Sequence, residues 1–293
     1  MNANLLVEQT LNGFQLGVML FLMASGLTLV LGIMNFVNLT HGSFYMFGAF
    51  FTAALFKLTG SLAVAIPGAL LGVAALAAAF EATLFRKLYT RDHLDQVLCT
   101  VGLIYFCNEF VRFAWGPSPL RAEVPLFLRG SVQLFFDITY PTLRLAIIMV
   151  GLVVAAFLYW LIERTKLGML IRAGAADRVM VRALGANINF LYTFVFAIGA
   201  ALAGLAGILS GPIYAVQAGM GDNVLILTLV VIVIGGVGSV KGALIGAVLV
   251  GLLDTFGRAL LPTSISDLGI YVLMAGILAI NPRGLFQIHG AKK

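Results

Sequence analysis

The length of its charge-free stretches is the feature that most constrains this chain. No Asp, Glu, Lys or Arg lies between Glu8 and Lys57, and none lies between Arg182 and Asp222. Each stretch can hold at least one apolar helix of about 20 residues, the length that crosses a bilayer. Hydrophobic residues make up 61% of the sequence and charged residues 10%, with a mean hydropathy of +1.06. Soluble domains do not have this composition, so we expect an all-α polytopic membrane protein.

Hydropathy predicts eight or nine transmembrane helices in a single domain, residues 1–293. The predicted segments are 11–33, 43–57, 62–85, 97–114, 143–162, 190–214, 222–237, 242–260 and 267–281. The second segment is short, and the seventh ends in the glycine-rich run Gly235-Gly236-Val237-Gly238-Ser239. Either one is a candidate for a short or re-entrant element that is buried by its neighbours.

The 18 Lys and Arg residues are unevenly divided between the two faces that these spans define. The face that includes residues 163–189 and the C-terminus carries the larger share, so the positive-inside rule places it in the cytoplasm. The loop 115–142, which holds half of the eight prolines, is then extracytoplasmic. This topology explains the net charge of +6 without nucleic-acid binding.

Residues 163–189, which we call the polar segment, hold many of the charges of an otherwise apolar chain. Leu170–Leu184 contains no proline and is followed by Gly185, which suits a helix end. The sequence predicts one short cytoplasmic helix here. Its predicted apolar face is Ala176, Val179, Met180, Ala183 and Leu184, and its charged flanks are Arg172, Asp177, Arg178 and Arg182. Such a helix is typical of one that docks in a groove of another protein; a helix lying on anionic lipid is the alternative.

A polar stripe is predicted within the first charge-free stretch. Asn35, Asn38, His41 and Tyr45 are spaced by three, three and four residues, so on one helix they would share a face. Polar groups in a span must face protein or water. They would form either an interhelical hydrogen-bond network or the lining of a translocation path, and Gly42 is a candidate hinge.

Small residues recur at helical spacing in two of the predicted spans. They are Gly199, Ala203, Gly207 and Gly211 in one span, and Gly242, Ala243, Gly246, Ala247 and Gly251 in the other. Surfaces of this kind let helices approach closely in lipid. We expect tight packing within the bundle, with the lining of a permeation path as the alternative.

The sequence lacks the motifs that are typical of an enzyme, a metal site or an ion-coupled pump. It contains no HExxH and no phosphate-binding GxxxxGK[ST], and its three histidines fall in unrelated segments. The acids near span ends have basic neighbours. These pairs are Glu81 with Arg86, Glu109 with Arg112, and Asp254 with Arg258. Because no acid stands alone at a span centre, we do not expect a self-powered transporter.

Several short motifs occur in order along the whole chain. They are Gly26-Leu27-Thr28-Leu29-Val30-Leu31-Gly32, Val37-Asn38-Leu39-Thr40-His41-Gly42, Arg164-Thr165-Lys166-Leu167-Gly168-Met169, GGVGSVKGALIGA over 235–247, and Pro282-Arg283-Gly284-Leu285-Phe286. Together they resemble the permease subunits of branched-chain amino acid ABC transporters. The Asn-x-x-His-Gly element is similar to that of the smaller, H-type permease.

The resemblance implies a permease subunit that forms half of an importer's pathway in the bacterial inner membrane. Its partners would be a second permease subunit, two cytoplasmic ATPase subunits that bind the ATP, and an extracytoplasmic substrate-binding protein. The chain itself would need no cofactor and would be no enzyme. Two alternatives are the same architecture importing urea, short amides or aromatic acids, and a stand-alone channel or secondary carrier.

The resemblance also implies roles for particular residues. The predicted cytoplasmic helix would be the coupling helix, and its contacts with the ATPase would be Arg172, Ala176, Asp177, Arg178, Arg182 and Gly185. The path or gate would include Asn35, Asn38, His41, Gly42 and Tyr45. Candidate hinge residues are Gly235, Gly236, Gly238 and Ser239.

Overall fold

The computed structural model describes residues 3–133 and 138–286, which form a helical bundle with one two-stranded sheet. The helices are α1 (Ala3–Met34), α2 (His41–Thr59), α3 (Leu62–Thr83), α4 (His93–Trp115), α5 (Thr142–Arg164), α6 (Lys166–Ala176), α7 (Arg178–Ala183), α8 (Ile188–Ser210), α9 (Met220–Gly235), α10 (Val240–Leu260) and α11 (Thr263–Ile280). Strands β1 (Ser131–Gln133) and β2 (Thr139–Pro141) pair antiparallel, and short 3-10 turns cover Phe85–Lys87 and Leu126–Leu128.

A helix occupies every segment that hydropathy predicts to span the membrane. Within the described residues, six helices are long and apolar enough to cross a bilayer, namely α1, α3, α4, α5, α8 and α10. The apolar helices over Met220–Gly235 and Leu268–Ile280 are shorter. The all-α membrane architecture is confirmed, whereas the total of eight or nine spans depends on α2, α9 and α11 and stays a prediction.

α1 is the central helix of the bundle. In its most apolar stretch 83% of the residues are buried, whereas in that of α4 only 17% are. α1 is apolar on all sides, as expected for a helix that others surround, and it packs against α5, α8, α9 and α10. The outward sides of α3, α4 and α5 are left for lipid or for partner subunits.

Glycines set the closest helix contacts. A Cβ on Gly26 of α1 would overlap the backbone of Gly199 of α8, and one on Gly207 would overlap the carbonyl of Tyr45 in α2. In the same way Gly251 of α10 packs directly against the backbone of α1. The predicted small-residue surfaces are therefore helix contacts inside the bundle. In lipid, where apolar burial does not favour one helix neighbour over another, such close packing stabilises helix pairs.

The bundle has two distinct ends, and α1 joins them. We call the end that carries the polar segment the inner end. Ile33, near the end of α1, lies against Gly174 of α6 there. At the opposite, outer end, the Tyr140 hydroxyl of β2 donates a hydrogen bond to Asn12 Oδ1, near the start of α1, at 3.0 Å. α1 therefore runs from the outer end to the inner end.

The chain turns back into the protein after α1. Asn35 has a positive φ of 50°, and His41, the first residue of α2, lies with Nε2 3.2 Å from the carbonyl oxygen of Met23. Met23 is about three helical turns before the end of α1, or about 16 Å. α2 therefore begins inside the bundle. Phe36 and Asn38 of this connection are buried. Non-helical backbone at this depth in a membrane must be surrounded by protein, because lipid cannot satisfy its polar groups.

The outer loop, residues 115–142, is attached to the bundle at two places. Leu120 and Val216 exchange backbone hydrogen bonds of 2.8 and 3.0 Å, which join this loop to the connection between α8 and α9. The strand β2 leads directly into α5, and Thr142 donates its backbone N–H to Gly130. Residues 134–137 of the loop lie outside the described part.

Candidate functional site

The polar segment forms two helices, which corrects the prediction of one helix over Leu170–Leu184. α6 ends at Ala176, and Asp177 adopts an extended conformation with φ −153° and ψ 98°. Its Oδ1 accepts hydrogen bonds from the backbone N–H groups of Val179 and Met180, both at 2.9 Å. Asp177 is thus an N-cap, a role in which aspartate satisfies amide groups that the first helical turn leaves unpaired. Helical periodicity across 170–184 does not reveal this break.

α7 presents apolar side chains to the surroundings. Val179, Met180 and Leu184 are 75%, 59% and 79% exposed, while Val181 is buried against the bundle. The helix ends as predicted near Gly185, whose φ of 85° lies in the left-handed region that glycine adopts without strain. Beside the apolar side chains lie the exposed Arg178 and Arg182. The surface formed by Val179, Met180 and Leu184 is called the α7 face below.

Ion pairs of Glu163 join α5 to α6 and to α10. Glu163, near the end of α5, lies 3.7 Å from Arg172 of α6 and 3.4 Å from Lys241 of α10. Arg172 also donates to the carbonyl of Ile162. Arg172, predicted to contact a partner, is therefore engaged inside this chain. Such exposed pairs contribute little stability, about 0–1 kcal/mol each.

The glycine-rich turn between α9 and α10 is held by the C-terminal segment. Phe286 donates its backbone N–H to the Gly235 carbonyl at 3.0 Å. Gly236 and Gly238 have φ values of 101° and 84°. Ser239 caps α10, because its hydroxyl accepts the N–H of Gly242 at 3.0 Å. The candidate hinge residues thus form a tight, hydrogen-bonded turn at the inner end.

The predicted polar stripe does not lie on one helix. α1 ends before Asn35 and α2 begins only at His41, so the spacing of Asn35 and Asn38 is not a helical spacing. Asn35 lines an inner cleft of about 370 Å³ together with Asp177, between the end of α1 and the break that separates α6 from α7. Asn38 is buried at 1% exposure, and its amide has no hydrogen-bond partner among the described residues. The structure separates these two asparagines and brings Asn35 beside the polar segment.

His41, Gly42 and Tyr45 lie together on the first turns of α2. His41 is buried and contacts the Met23 carbonyl, and Gly42 lies against the backbone of Gly221 in α9. Tyr45 follows His41 by one turn and reaches a cavity at the outer end of the bundle. This cavity ends at Tyr45, and the buried contact between His41 and Met23 lies one helical turn further inward.

The cavity has a volume of about 640 Å³ and opens at the outer end between α1, α2, α5, α9 and α10. Its polar lining comprises Gln9, Asn12, Gln15, Tyr45, Arg144, Tyr214, Asp254, Thr255 and Arg258. Its apolar lining includes Leu16, Met19, Leu20, Ile213, Val224 and Leu227. Ligand sites of proteins have this size and this mixture of apolar walls with a few polar groups. We call it the outer cavity.

One arginine of the outer cavity is positioned by two neighbours. Asn12 Oδ1 accepts hydrogen bonds from the Arg144 guanidinium and from the Tyr140 hydroxyl. Burial raises the pKa of that hydroxyl, so Tyr140 remains a hydrogen-bond donor. Neither Arg144 nor Asn12 is predicted from the sequence as a site residue. The three-residue spacing of Asn12 and Gln15 in α1 is the signal that could have found this wall.

The predicted local ion pairs are present. Asp254 of α10 is 6% exposed, and both of its oxygens lie 3.0 Å from Arg258 Nε. The exposed pair of Glu109 and Arg112 has a distance of 2.8 Å. At the inner end, Glu81 accepts hydrogen bonds from Arg86, Tyr89 and Thr193. Burial, followed by the charge of Glu81, raises the pKa of Tyr89, so its hydroxyl stays protonated in this network.

Within the described residues, no three His, Cys, Asp or Glu side chains are grouped closely enough to hold a metal ion. The two cysteines, Cys99 and Cys107, are free thiols. Six helices in the described part of the chain, long and apolar enough to cross a bilayer and packed around the outer cavity and the buried start of α2, define the class as a multi-pass membrane protein.

Comparison with known proteins identifies the family. The profile of the branched-chain amino acid transport system permease component matches residues 9–278, so the chain belongs to this family of transport permeases, which are not enzymes. The chain is 28% identical to BraD of Pseudomonas aeruginosa, a high-affinity branched-chain amino acid transport system permease protein, over 95% of both chains. It is 29% identical to LivH of Escherichia coli K12, a protein of the same description, over 95% of this chain and 94% of LivH. No solved structure matches the chain.

Proposed function

We propose that this chain is a permease subunit of an ABC importer for branched-chain or related amino acids. It would form half of the pathway beside a second permease subunit. Two cytoplasmic ATPase subunits would drive it, and an extracytoplasmic binding protein would deliver the solute. The observation that carries the proposal is the exposed α7 face at the inner end of a family permease whose sequence contains no ATP-binding motif.

The α7 face has the properties of a docking surface. Three large apolar side chains are exposed on α7 and on the residue that follows it, with Arg178 and Arg182 beside them. Exposed apolar surface with a polar rim marks interaction sites, and short amphipathic helices dock into grooves of partner proteins. We assign this surface to an ATPase subunit, with Ala176, Asp177 and Gly185 setting the shape of the helix.

Contacts of the polar segment suggest how a movement at α7 reaches the pathway. Glu163 links α6 to α5 and α10 through Arg172 and Lys241, and Ile33 links α6 to α1. These three helices, α1, α5 and α10, also line the outer cavity. A displacement of α6 and α7 when the ATPases close would therefore change the walls of the outer cavity. Proteins that switch between two states transmit displacements in this way, through packed helices that move as rigid bodies.

We assign the gate to the start of α2. Tyr45 closes the outer cavity, and the contact between His41 and Met23 lies one turn below it. Asn38, whose buried amide lacks a partner, lies on the same re-entrant connection. Opening towards the inner end would displace this connection, with Gly42 and the turn Gly235–Ser239 as the points of rotation.

The proposed topology has nine spans, an extracytoplasmic N-terminus and a cytoplasmic C-terminus. The course of α1 from the outer to the inner end supports it, and so does the contact of Phe286 with the inner turn at Gly235. α2 and α9 would be short spans, with α2 preceded by the re-entrant residues 35–40. The protein would lie in the bacterial cytoplasmic membrane, with loop 115–142 available to the binding protein.

Reconstitution tests this proposal. Proteoliposomes that contain the permease pair, the ATPases and the binding protein should accumulate labelled L-leucine when ATP is supplied on the ATPase side. Vesicles that contain this chain alone should show no flux. Flux without ATPases would contradict the proposal and establish a stand-alone channel or carrier. ATP-driven uptake of urea, and not of leucine, would support the alternative solute class.

A further inference from the structure

The outer cavity contains charges of both signs. Arg144 projects from α5, and Asp254 and Arg258 lie one turn apart on α10. Among the described residues no carboxylate lies within ion-pair distance of Arg144, and its guanidinium donates a hydrogen bond to the neutral Asn12. A guanidinium has five N–H donors in a planar fork that suits a carboxylate. The cavity therefore offers a positioned anion-binding group.

Asp254 is the acidic group of the same cavity. Its side chain is almost fully buried, and both of its oxygens lie 3.0 Å from Arg258 Nε. A carboxylate has about four acceptor positions, so a carboxylate that is paired with one guanidinium can still accept hydrogen bonds from an ammonium group. Gln15, 5% exposed, adds a neutral polar group from α1. An ammonium group would find acceptors on this side of the cavity.

Apolar side chains form the rest of the wall. Leu16, Met19 and Leu20 come from α1, and Val224 and Leu227 come from α9. Tyr45 closes the inner side with an aromatic ring that is 2% exposed. Arg144, the ion pair of Asp254 with Arg258 and the aliphatic walls make the cavity complementary to a zwitterion that carries an aliphatic side chain. A neutral diamide such as urea would leave Arg144 without a counter-charge.

We propose that the outer cavity is a binding site for an α-amino acid within the permease itself. Arg144 binds the carboxylate, Asp254 and Gln15 bind the ammonium group, and the residues of α1 and α9 contact the aliphatic side chain. The inference rests on the proposed importer function and deepens it, because it makes the permease a second point of selection after the binding protein. Asn12 and Tyr140 are positioning residues, since they act through Arg144.

Protection of a cysteine from labelling tests the site without the binding protein. Thr255→Cys, which lies in the cavity wall, is introduced into a chain with Cys99→Ala and Cys107→Ala, and the permease–ATPase complex is treated with a maleimide. Saturating L-leucine should slow the labelling several-fold. Leucinamide lacks the carboxylate and 4-methylpentanoate lacks the ammonium group, so each should protect weakly; urea should not protect.

Substitutions assign the two charges. Arg144→Gln and Asp254→Asn should each raise the half-protecting leucine concentration about tenfold or more, as expected for loss of one charge-assisted contact. Each variant is compared with its own labelling rate without solute, because a changed charge in the cavity alters the reactivity of the Thr255→Cys thiol. Thermal unfolding of each purified complex checks that it is folded. Arg112→Gln, which removes an exposed outer arginine distant in sequence from the cavity residues, is the matched control and should leave protection unchanged.

The outcomes separate this inference from the proposed function. The outer cavity is not the proposed binding site if leucine does not protect, if urea protects equally well, or if protection survives both substitutions. If ATP-driven leucine uptake by the complete transporter persists in that case, only the site is wrong. If the complete transporter does not take up leucine, the proposed function itself fails.

Discussion

Asp177 Oδ1 lies 2.9 Å from the backbone nitrogen of Met180, and this contact begins α7 as a helix separate from α6. The same oxygen accepts the N–H of Val179. The cap therefore holds the α7 face at an angle to α6, where its apolar side chains project from the inner end. If α6 and α7 were one continuous helix, the side chains of Val179 and Met180 would point in other directions relative to α6.

Removal of the Asp177 cap should uncouple transport from ATP hydrolysis. Asp177→Ala leaves two amide groups of α7 without their acceptor, at a cost of about 1 kcal/mol. We expect less leucine uptake per ATP hydrolysed, with normal membrane insertion. Asp177→Asn keeps a capping oxygen and is the control. Equal loss in both variants would mean that the charge of Asp177, and not its cap, is required.

Gly185 should resist substitution for a backbone reason. Its φ of 85° would strain an alanine, by about 1–2 kcal/mol, although no atom of the chain stands within 4 Å of the added Cβ. Gly185→Ala should therefore lower coupled uptake without creating a clash. Gly102→Ala, in α4 with equally open space, should transport normally. A fully coupled Gly185→Ala protein would show that the geometry of this helix end is unimportant.

Gly207 should be required for assembly of the bundle. A Cβ at this position overlaps the Tyr45 carbonyl, so Gly207→Ala must separate α2 from α8. We expect a loss of about 1–3 kcal/mol, typical of overpacking, seen as a lower melting temperature of the purified complex. Gly276→Ala in α11, which meets no atom within 4 Å, serves as the control. Identical melting temperatures for the two variants would argue against the close α2–α8 contact.

Two glutamates whose ion pairs have the same length should differ in how much they stabilise the protein. Glu81 and Glu109 each lie 2.8 Å from an arginine, but the Glu81 side chain is 0% exposed and that of Glu109 is 69% exposed. Glu81→Leu removes the acceptor that Arg86, Tyr89 and Thr193 share. Because hydrogen bonds to charged groups contribute about 1.5–3 kcal/mol each, it should destabilise the protein strongly. Glu109→Leu should cost less than about 1 kcal/mol. Thermal denaturation of the two variants compares these costs directly.

The sequence predicts the helices well and their ends less well. Long apolar segments are unambiguous because the bilayer sets their length, and every predicted segment contains a helix. Asn35 and Asn38 show the limit: their spacing fits one helix, but the chain leaves the helix at Met34 and turns back into the bundle. Periodicity reports only which face a helical residue would occupy, and it does not show that the residue is helical.

The site was only partly predictable for a related reason. Residues that are close in sequence, such as Asp254 and Arg258, were identified as a pair. The outer cavity instead joins Asn12, Arg144 and Asp254 from three helices, and that proximity depends on how the helices pack around α1. Motif spacing contains no information on this arrangement.

Site-specific cross-linking tests the central claim, that ATPase subunits drive this permease through the α7 face. In a chain with Cys99→Ala and Cys107→Ala, Met180→Cys is placed on the exposed side of α7 and Val181→Cys on its buried side. In the assembled complex, a short bifunctional reagent should join Met180→Cys to an ATPase subunit and block ATP-driven uptake, while Val181→Cys should not react. A Met180→Cys protein that cross-links to no ATPase subunit, or one that partitions into anionic lipid instead, would contradict the account.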